Sequence, residues 1–414
     1  MAPKKKAKKL KKSAKKRIGP SYEIGNEVLM VKNFNHLLGG GDNCQLSSLR
    51  KVLAHHNLNL SENMLLGIAS GLHFIYWAMK LMPPFVGGLN GKDITLFENI
   101  LSRLGGSAKV LKTGSLKVSY KQFKEHLRQG EPLISFVDMA YLTYFYSEDT
   151  PYPMEENHFG GHTMVVYGVD EPKNIVYVSD HFQTPSTLTI QHYMDAHSSK
   201  HPPFGAKNLK LQFDFPKKFP ENLEPIIIEA IRENGNLLQN APIKNLGLKG
   251  MLKFKDMVAT WPKTYKGENL LMSLVMTFIY NQTGGTGGAL FRNMYTKFLL
   301  EAYKLTEKEI LKEAAEIYRQ AATAWDNVSV RLLPDELPAL KEMRLAFLES
   351  SKVQKEAAPG YQKKLREIDD GWKSKKKEAL KEIKDFQTYI PALQDAIQEA
   401  HDLEAQAWVV LNKL

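Results

Sequence analysis

Five prolines fall between residues 201 and 225: Pro202, Pro203, Pro216, Pro220 and Pro225. Each fixes φ and removes a backbone donor, so no unbroken helix crosses this stretch. It reads as a linker, and the patterning differs on its two sides. Upstream, short β-rich apolar runs are mixed with helical periodicity. Downstream, the spacing of apolar residues is almost wholly helical. The expected organisation is a basic tail over 1–17, an α+β domain over 18–200, a proline-rich linker over 201–225 and an all-α domain over 226–414.

Local signals fill in this outline. Leu46, Leu49, Val52 and Leu53 share one face of a helix expected over 45–56. Ser61 and Glu62 cap a second helix starting near 62. Helices are expected over 93–104 and 119–129, and a buried strand over 132–137 (PLISFV). The run Met64–Met79 is uncharged but too short for a membrane span, and it reads as a buried core helix. Thr163–Val169 and Ile175–Ser179 flank a turn at 170–174, which is a hairpin signal. Beyond the linker, helices are expected at 226–239, 247–260, 268–281, 288–304, 306–326, 335–355, 360–387 and 391–413.

Charge is unevenly distributed. The net +11 comes from residues 1–17, which hold nine lysines, one arginine and no acid. The remainder carries 46 basic against 45 acidic side chains and is close to neutral. Such a block stays solvated and attracts nucleic acid or an anionic surface without sequence preference. Residues 18–27 lack the apolar core of a secretory signal. One cysteine cannot form an internal disulfide, which fits a reducing, cytoplasmic setting.

That cysteine, Cys44, follows Gly39-Gly40-Gly41-Asp42-Asn43 and opens the first helix. Unpaired N–H groups and the positive end of the dipole favour a thiolate there. His162 opens the first strand of the hairpin and Asp180 closes the second. A turn centred near Glu171 pairs 162 with 180, and cross-strand neighbours lie about 5 Å apart. The carboxylate would then orient the ring and favour the imidazolium, and the imidazole would take the proton of a nearby thiol. The order Cys44, His162, Asp180 is that of a papain-like triad. The Cys44 N–H, Asn43 or an amide of the glycine loop would supply the oxyanion donors.

The stretch NCQLSSLRKVLAHHNLNLSENMLLGIASGLHFIYW, with HFGGHTMVVYGVD and VYVSD, resembles the N-terminal domain of the butirosin biosynthesis protein H family. The resemblance covers about residues 30–200. A second patch, TGGTGGALFRNMYTKFLLEA, is similar to the helical domain that commonly follows in that family. It implies a papain-like fold turned to acyl transfer, from a thioester on a carrier protein or coenzyme A to an amine, with no tightly bound cofactor. Cys44 then matches the nucleophile, His162 the histidine and Asp180 the acid. The family often has His where this chain has Asn43, and papain-like peptidases usually have Gln where it has Leu38.

Other residues are candidates for binding. Asp138 and Tyr144, in FVDMAYLTYF, are similar to a strand-Asp-aromatic segment of the family. Asp138 there would hold a cationic amine or cap a turn. His158 lies four residues before His162, but the intervening Gly160-Gly161 argues against a helical metal site. It reads as a substrate contact or a loop residue. Thr283–Gly288 precedes a helix expected near Ala289, where Gly287, Gly288 and Arg292 would receive the phosphate of a phosphopantetheine arm. The alternative there is a tight turn that needs glycine. Two further readings of the chain are a cysteine peptidase or amidase of the same fold, and a non-enzymatic protein whose tail binds polyanions.

Overall fold

The structure is a computed structural model that describes residues 22–36, 40–78, 83–90, 94–146, 150–202 and 204–414. The expected basic tail over 1–17, Leu38, Gly39, Met79, Asp93 and Pro203 lie outside the described residues. Strands are β1 (Val28–Met30), β2 (Leu72–Trp77), β3 (Phe85–Leu89), β4 (Ser107–Leu111), β5 (Leu133–Val137), β6 (His162–Asp170), β7 (Ile175–Ser179), β8 (Ser186–Thr189) and β9 (Lys210–Asp214). The helices of the first half are α1 (Cys44–His55), α2 (Glu62–Ile68), α3 (Thr95–Arg103), α4 (Leu116–Arg128) and α5 (Ile190–Ser198). The second half follows with α6 (Glu224–Gln239), α7 (Gly247–Val258), α8 (Trp261–Thr264), α9 (Glu268–Gln282), α10 (Arg292–Thr306) and α11 (Glu309–Leu332). It ends with α12 (Pro338–Glu356), α13 (Tyr361–Ser374), α14 (Lys376–Glu382) and α15 (Ile390–Leu411).

The fold is α+β, with the main sheet in the first half. Its seven strands run in the order β4-β9-β5-β6-β7-β8, with β1 added to β6, and every pairing is antiparallel. β5 is buried along its whole length, which explains its unbroken apolar sequence. β9 corrects the linker reading. Lys210–Asp214 lies between Pro203 and Pro216 and forms a strand between β4 and β5. The prolines flank this strand, where they cost no ladder bond.

The run from Met64 also differs from expectation. Ser70 takes φ 50 and Gly71 follows, so α2 stops and the chain turns into β2. β2 pairs with β3 in a separate two-stranded sheet. Phe74, Tyr76 and Val86 of that hairpin pack with Phe254, Trp261 and Trp325 of the helical half.

α1 presents Leu46, Leu49, Val52 and Leu53 to a core that includes Ile134 on the sheet and Met294, Tyr295 and Phe298 on α10. Each such buried side chain contributes about 2 kcal/mol by leaving water. The two halves therefore share apolar cores. α2 approaches α10 so closely that a Cβ on Gly67 would lie 2.1 Å from the Phe298 ring. This shared packing seats the start of α1 over the start of β6.

Candidate active site

Three elements converge on one end of the sheet. Asn43 takes an extended conformation (φ −126, ψ 128), and its Oδ1 accepts from the N–H groups of Gln45 and Leu46. That cap fixes Cys44 as the first residue of α1. Behind it, the buried Glu62 carboxylate accepts from the N–H of Asp42 at 2.9 Å and of Asn43 at 3.1 Å. A Cβ on Gly41 would lie 2.5 Å from Ser47 Oγ and 2.6 Å from Glu62 Oε1, so only glycine fits there.

His162 and Asp180 come from β6 and from the residue after β7. The ladder pairs Val166 with Val178 and Val165 with Ser179, and its register shifts between Val166 and Gly168. His162 and Asp180 are therefore not the direct cross-strand partners that a turn centred near Glu171 predicts. Their side chains still meet: His162 Nε2 lies 2.8 Å from Asp180 Oδ2, with both residues buried. Nε2 being so engaged, Nδ1 is the ring atom left for the thiol. His162 hydrogen-bonds Cys44, and the Thr163 N–H also donates to the sulfur. Cys44 itself is half-buried.

The charges follow from these contacts. Burial disfavours the Cys44 thiolate, but the facing imidazolium and the two hydrogen bonds outweigh it and lower the thiol pKa. Burial likewise opposes charge on His162, yet Asp180 and then Cys44 push its pKa up to about 10. Asp180 is held well below the usual carboxylate range despite burial, because His162 and His181 donate to it. Both shifts act in the direction of a thiolate beside an imidazolium.

Several partners of Asp180 escaped the sequence reading. His181 donates to Oδ1 through its N–H at 2.7 Å and through Nδ1 at 2.8 Å. The Tyr144 hydroxyl donates to Oδ2 at 2.6 Å, so Tyr144 supports the acid; a substrate role was expected of it. The Lys51 ammonium donates to the Asp180 carbonyl. Lys51 lies seven residues, two helical turns, after Cys44 on the same face of α1. The spacing of a lysine two turns after the cysteine was the available signal. Burial lowers its pKa to about 8. His162, Asp180 and His181 bring ligand atoms within 4.8 Å of one another, a spacing their mutual hydrogen bonds account for.

The remaining candidates are engaged elsewhere. Asn43 Nδ2 donates to the Gly285 carbonyl at 2.9 Å, so its side chain is a cap and a bridge. Asp138 is fully buried and accepts from His158 Nδ1 at 2.8 Å, Ser199 Oγ at 2.6 Å and the N–H groups of Ala140 and Phe159. That knot caps the turn after β5, the second of the two roles considered for it. His158 is held in the same knot and stacks on His201 at 3.7 Å.

The phosphate site expected at Gly287, Gly288 and Arg292 is corrected. Arg292 is completely buried and makes two bonds of 2.8 Å to Glu404. It also donates to the carbonyls of His73 and Leu290. These contacts hold Ala289, Leu290 and Phe291 in left-handed backbone, so α10 starts at Arg292 and not near Ala289. The guanidinium has no face for a phosphate.

The molecule thus belongs to a recognisable class: an α+β protein with cysteine, histidine and aspartate assembled at the end of an antiparallel sheet. Residues 43–181 match the family described as butirosin biosynthesis protein H, N-terminal, so this segment of the chain is similar to that domain. The matched segment opens one residue before Cys44 and closes one residue after Asp180. Residues 192–337 match a domain of unknown function, DUF4872. No curated protein matches the chain. The match over residues 43–181 suggests an enzyme. Among the described residues, no helix is long and apolar enough to cross a membrane.

Proposed function

We propose that the chain is a papain-like acyltransferase that moves an acyl group from a thioester donor to an amine through an acyl-enzyme on Cys44. The observation that carries this reading is the bond from His162 to Asp180 at 2.8 Å, with Cys44 on the other side of the same ring. The Cys44 sulfur attacks the thioester carbonyl, and the Cys44 N–H at the start of α1 faces the developing oxyanion. The tetrahedral adduct expels the donor thiolate, which takes the His162 proton. The amine then attacks the new thioester and gives its proton to His162. Collapse returns the Cys44 thiolate and releases the amide. Asp180 keeps the ring oriented throughout.

The donor is an acyl thioester of a carrier protein or of coenzyme A. The same three residues would serve a peptidase or amidase with water as acceptor. Transfer is favoured because the turn between α12 and α13 packs beside the site and Cys44 is only half-exposed, which limits water. Incubation with short acyl thioesters should add one acyl mass to the protein, absent in Cys44→Ala, and added amines should discharge it faster than water. Failure of every thioester to label a reduced, folded protein would sink the proposal. Faster discharge by water than by any amine would favour the hydrolase.

A further inference from the structure

One helical hairpin reaches the site from outside both matched segments. α12 and α13 form an arm joined by a turn over 357–360. α13 buries no residue, whereas α12 buries Ala339, Leu340 and Met343 in the helical core, so α13 is the solvent-facing half of the arm. Its tip is nevertheless seated on the catalytic side of the molecule. Lys355, in the last turn of α12, donates to Asp42, two residues before the thiol. Tyr361 and Gln362, in the first turn of α13, both donate to the backbone carbonyl of Tyr144. The Tyr361 ring lies 6.2 Å from that of Phe182, and Ala357 packs on the core beneath the sheet.

These grips fall on opposite sides of the triad. Lys355 holds the segment that leads into Cys44. Tyr361 and Gln362 hold the residue whose hydroxyl binds Asp180 Oδ2. Tyr144 sits in a single 3-10 turn, Thr143–Phe145, with no side-chain cap of its own. Its carbonyl instead receives two donors from one turn of α13. Movement of that carbonyl moves the ring, and with it the hydrogen bond that orients Asp180 toward His162.

We infer that the arm is a clamp on the catalytic set, with Tyr361 and Gln362 as positioning residues that fix Asp180 through Tyr144. The inference rests on the reading of Cys44, His162 and Asp180 as that set. Among the described residues, the donors to the thiol are His162 and Thr163 and none comes from the arm, so its influence runs through geometry.

The pH dependence of Cys44 alkylation by iodoacetamide, in the full chain, tests the clamp without knowledge of the substrate. The titratable and charged groups around the set are His162, Asp180 and His181 on the hairpin, Lys51 and Arg50 on α1, Glu62 on α2, Asp42 and His36 before α1, Tyr144, and Lys355 and Tyr361 on the arm. Tyr361 and Gln362 are uncharged near neutral pH, so their replacement leaves this charge set intact. Loosening Asp180 disfavours the imidazolium and therefore the thiolate. Tyr361→Phe/Gln362→Ala should raise the alkylation midpoint by about half a unit, roughly a threefold slower reaction on the acid side. Tyr144→Phe removes the hydrogen bond itself and should move the midpoint further in the same direction. A depressed midpoint that moves in Tyr144→Phe but stays fixed in the double variant would overturn the clamp and leave the triad standing. An ordinary thiol midpoint in the unaltered chain would overturn both.

Discussion

Two glycine-rich loops run into helices in this chain, and they touch. The first, with Gly40 and Gly41, leads into α1; the second, Thr283–Gly288, precedes α10 and meets the first where Asn43 bonds the Gly285 carbonyl. Sequence gives both the look of a site. At the first, Asn43 satisfies the helix N–H groups with its own side chain, and the next residue faces His162. At the second, three left-handed residues intervene, and the helix opens on an arginine locked to Glu404 in the core. A run of glycines announces a sharp turn. Whether the turn is a site depends on what fills the space before the helix.

The largest effect separates the loops outright. Cys44→Ala should abolish thioester labelling, and His162→Ala should slow it by about 10³-fold or more. Changes at the second loop should leave labelling per folded molecule unchanged. Intact-mass kinetics measure both, and a labelling defect in folded Arg292→Met would break the contrast.

The pH response comes next. His162 has a folded pKa of about 10, against about 6.5 in an unfolded chain. Its raised pKa contributes stability that is complete below pH 6.5 and fades as pH rises toward 10. Asp180 has the opposite sign: its contribution is present above about pH 4 and is lost as pH falls below that. The advantage of the unaltered chain over His162→Gln in denaturant should therefore be greatest between about pH 4 and 6.5 and shrink toward pH 10. A gap that widens over that range would contradict the assigned ion pair.

Stability alone reports on the second loop. Arg292→Met leaves Glu404 buried without its cation, with only the Trp325 indole donating to it among the described residues. Removing one partner of such a pair costs about 3–5 kcal/mol. Arg292→Met/Glu404→Met should recover much of that loss, because two apolar side chains suit a closed core. Urea midpoints at neutral pH measure each variant. Added phosphate should stabilise none of them, since the guanidinium faces no solvent.

Much of this was legible in the chain. α1 runs over Cys44–His55 against an expected 45–56, because its apolar face and start signal agree. The hairpin was legible too, but its register was not, since a one-residue irregularity between Val166 and Gly168 leaves no mark in sequence. The Met64–Met79 run misled because an uncharged stretch carries no periodicity to separate helix from strand. β9 was hidden by the prolines beside it. At the site, Cys44, His162 and Asp180 stood out as residue types at element ends, whereas Tyr144, His181 and Lys51 act through distances that only the fold supplies. Arg292 failed for the complementary reason: nothing in TGGTGGALFRN indicates that Glu404, 112 residues later, will reach it.

The smallest effect falls on Asn43, where the loops join. Asn43→Ala removes the cap on Gln45 and Leu46 and the bond to Gly285 together, and should cost about 1–2 kcal/mol. Asn43→Ser keeps a capping oxygen but has no amide to reach Gly285. If the cap dominates, serine should recover most of the stability and keep the alkylation profile of Cys44. If the bridge matters as much, serine should recover about half, and the loop under Cys44 should loosen without any change at the sulfur itself. Urea midpoints of the two variants decide whether the second loop only fills space beside the first or stabilises it through Asn43, and a shifted alkylation profile in Asn43→Ser would show that it also positions Cys44.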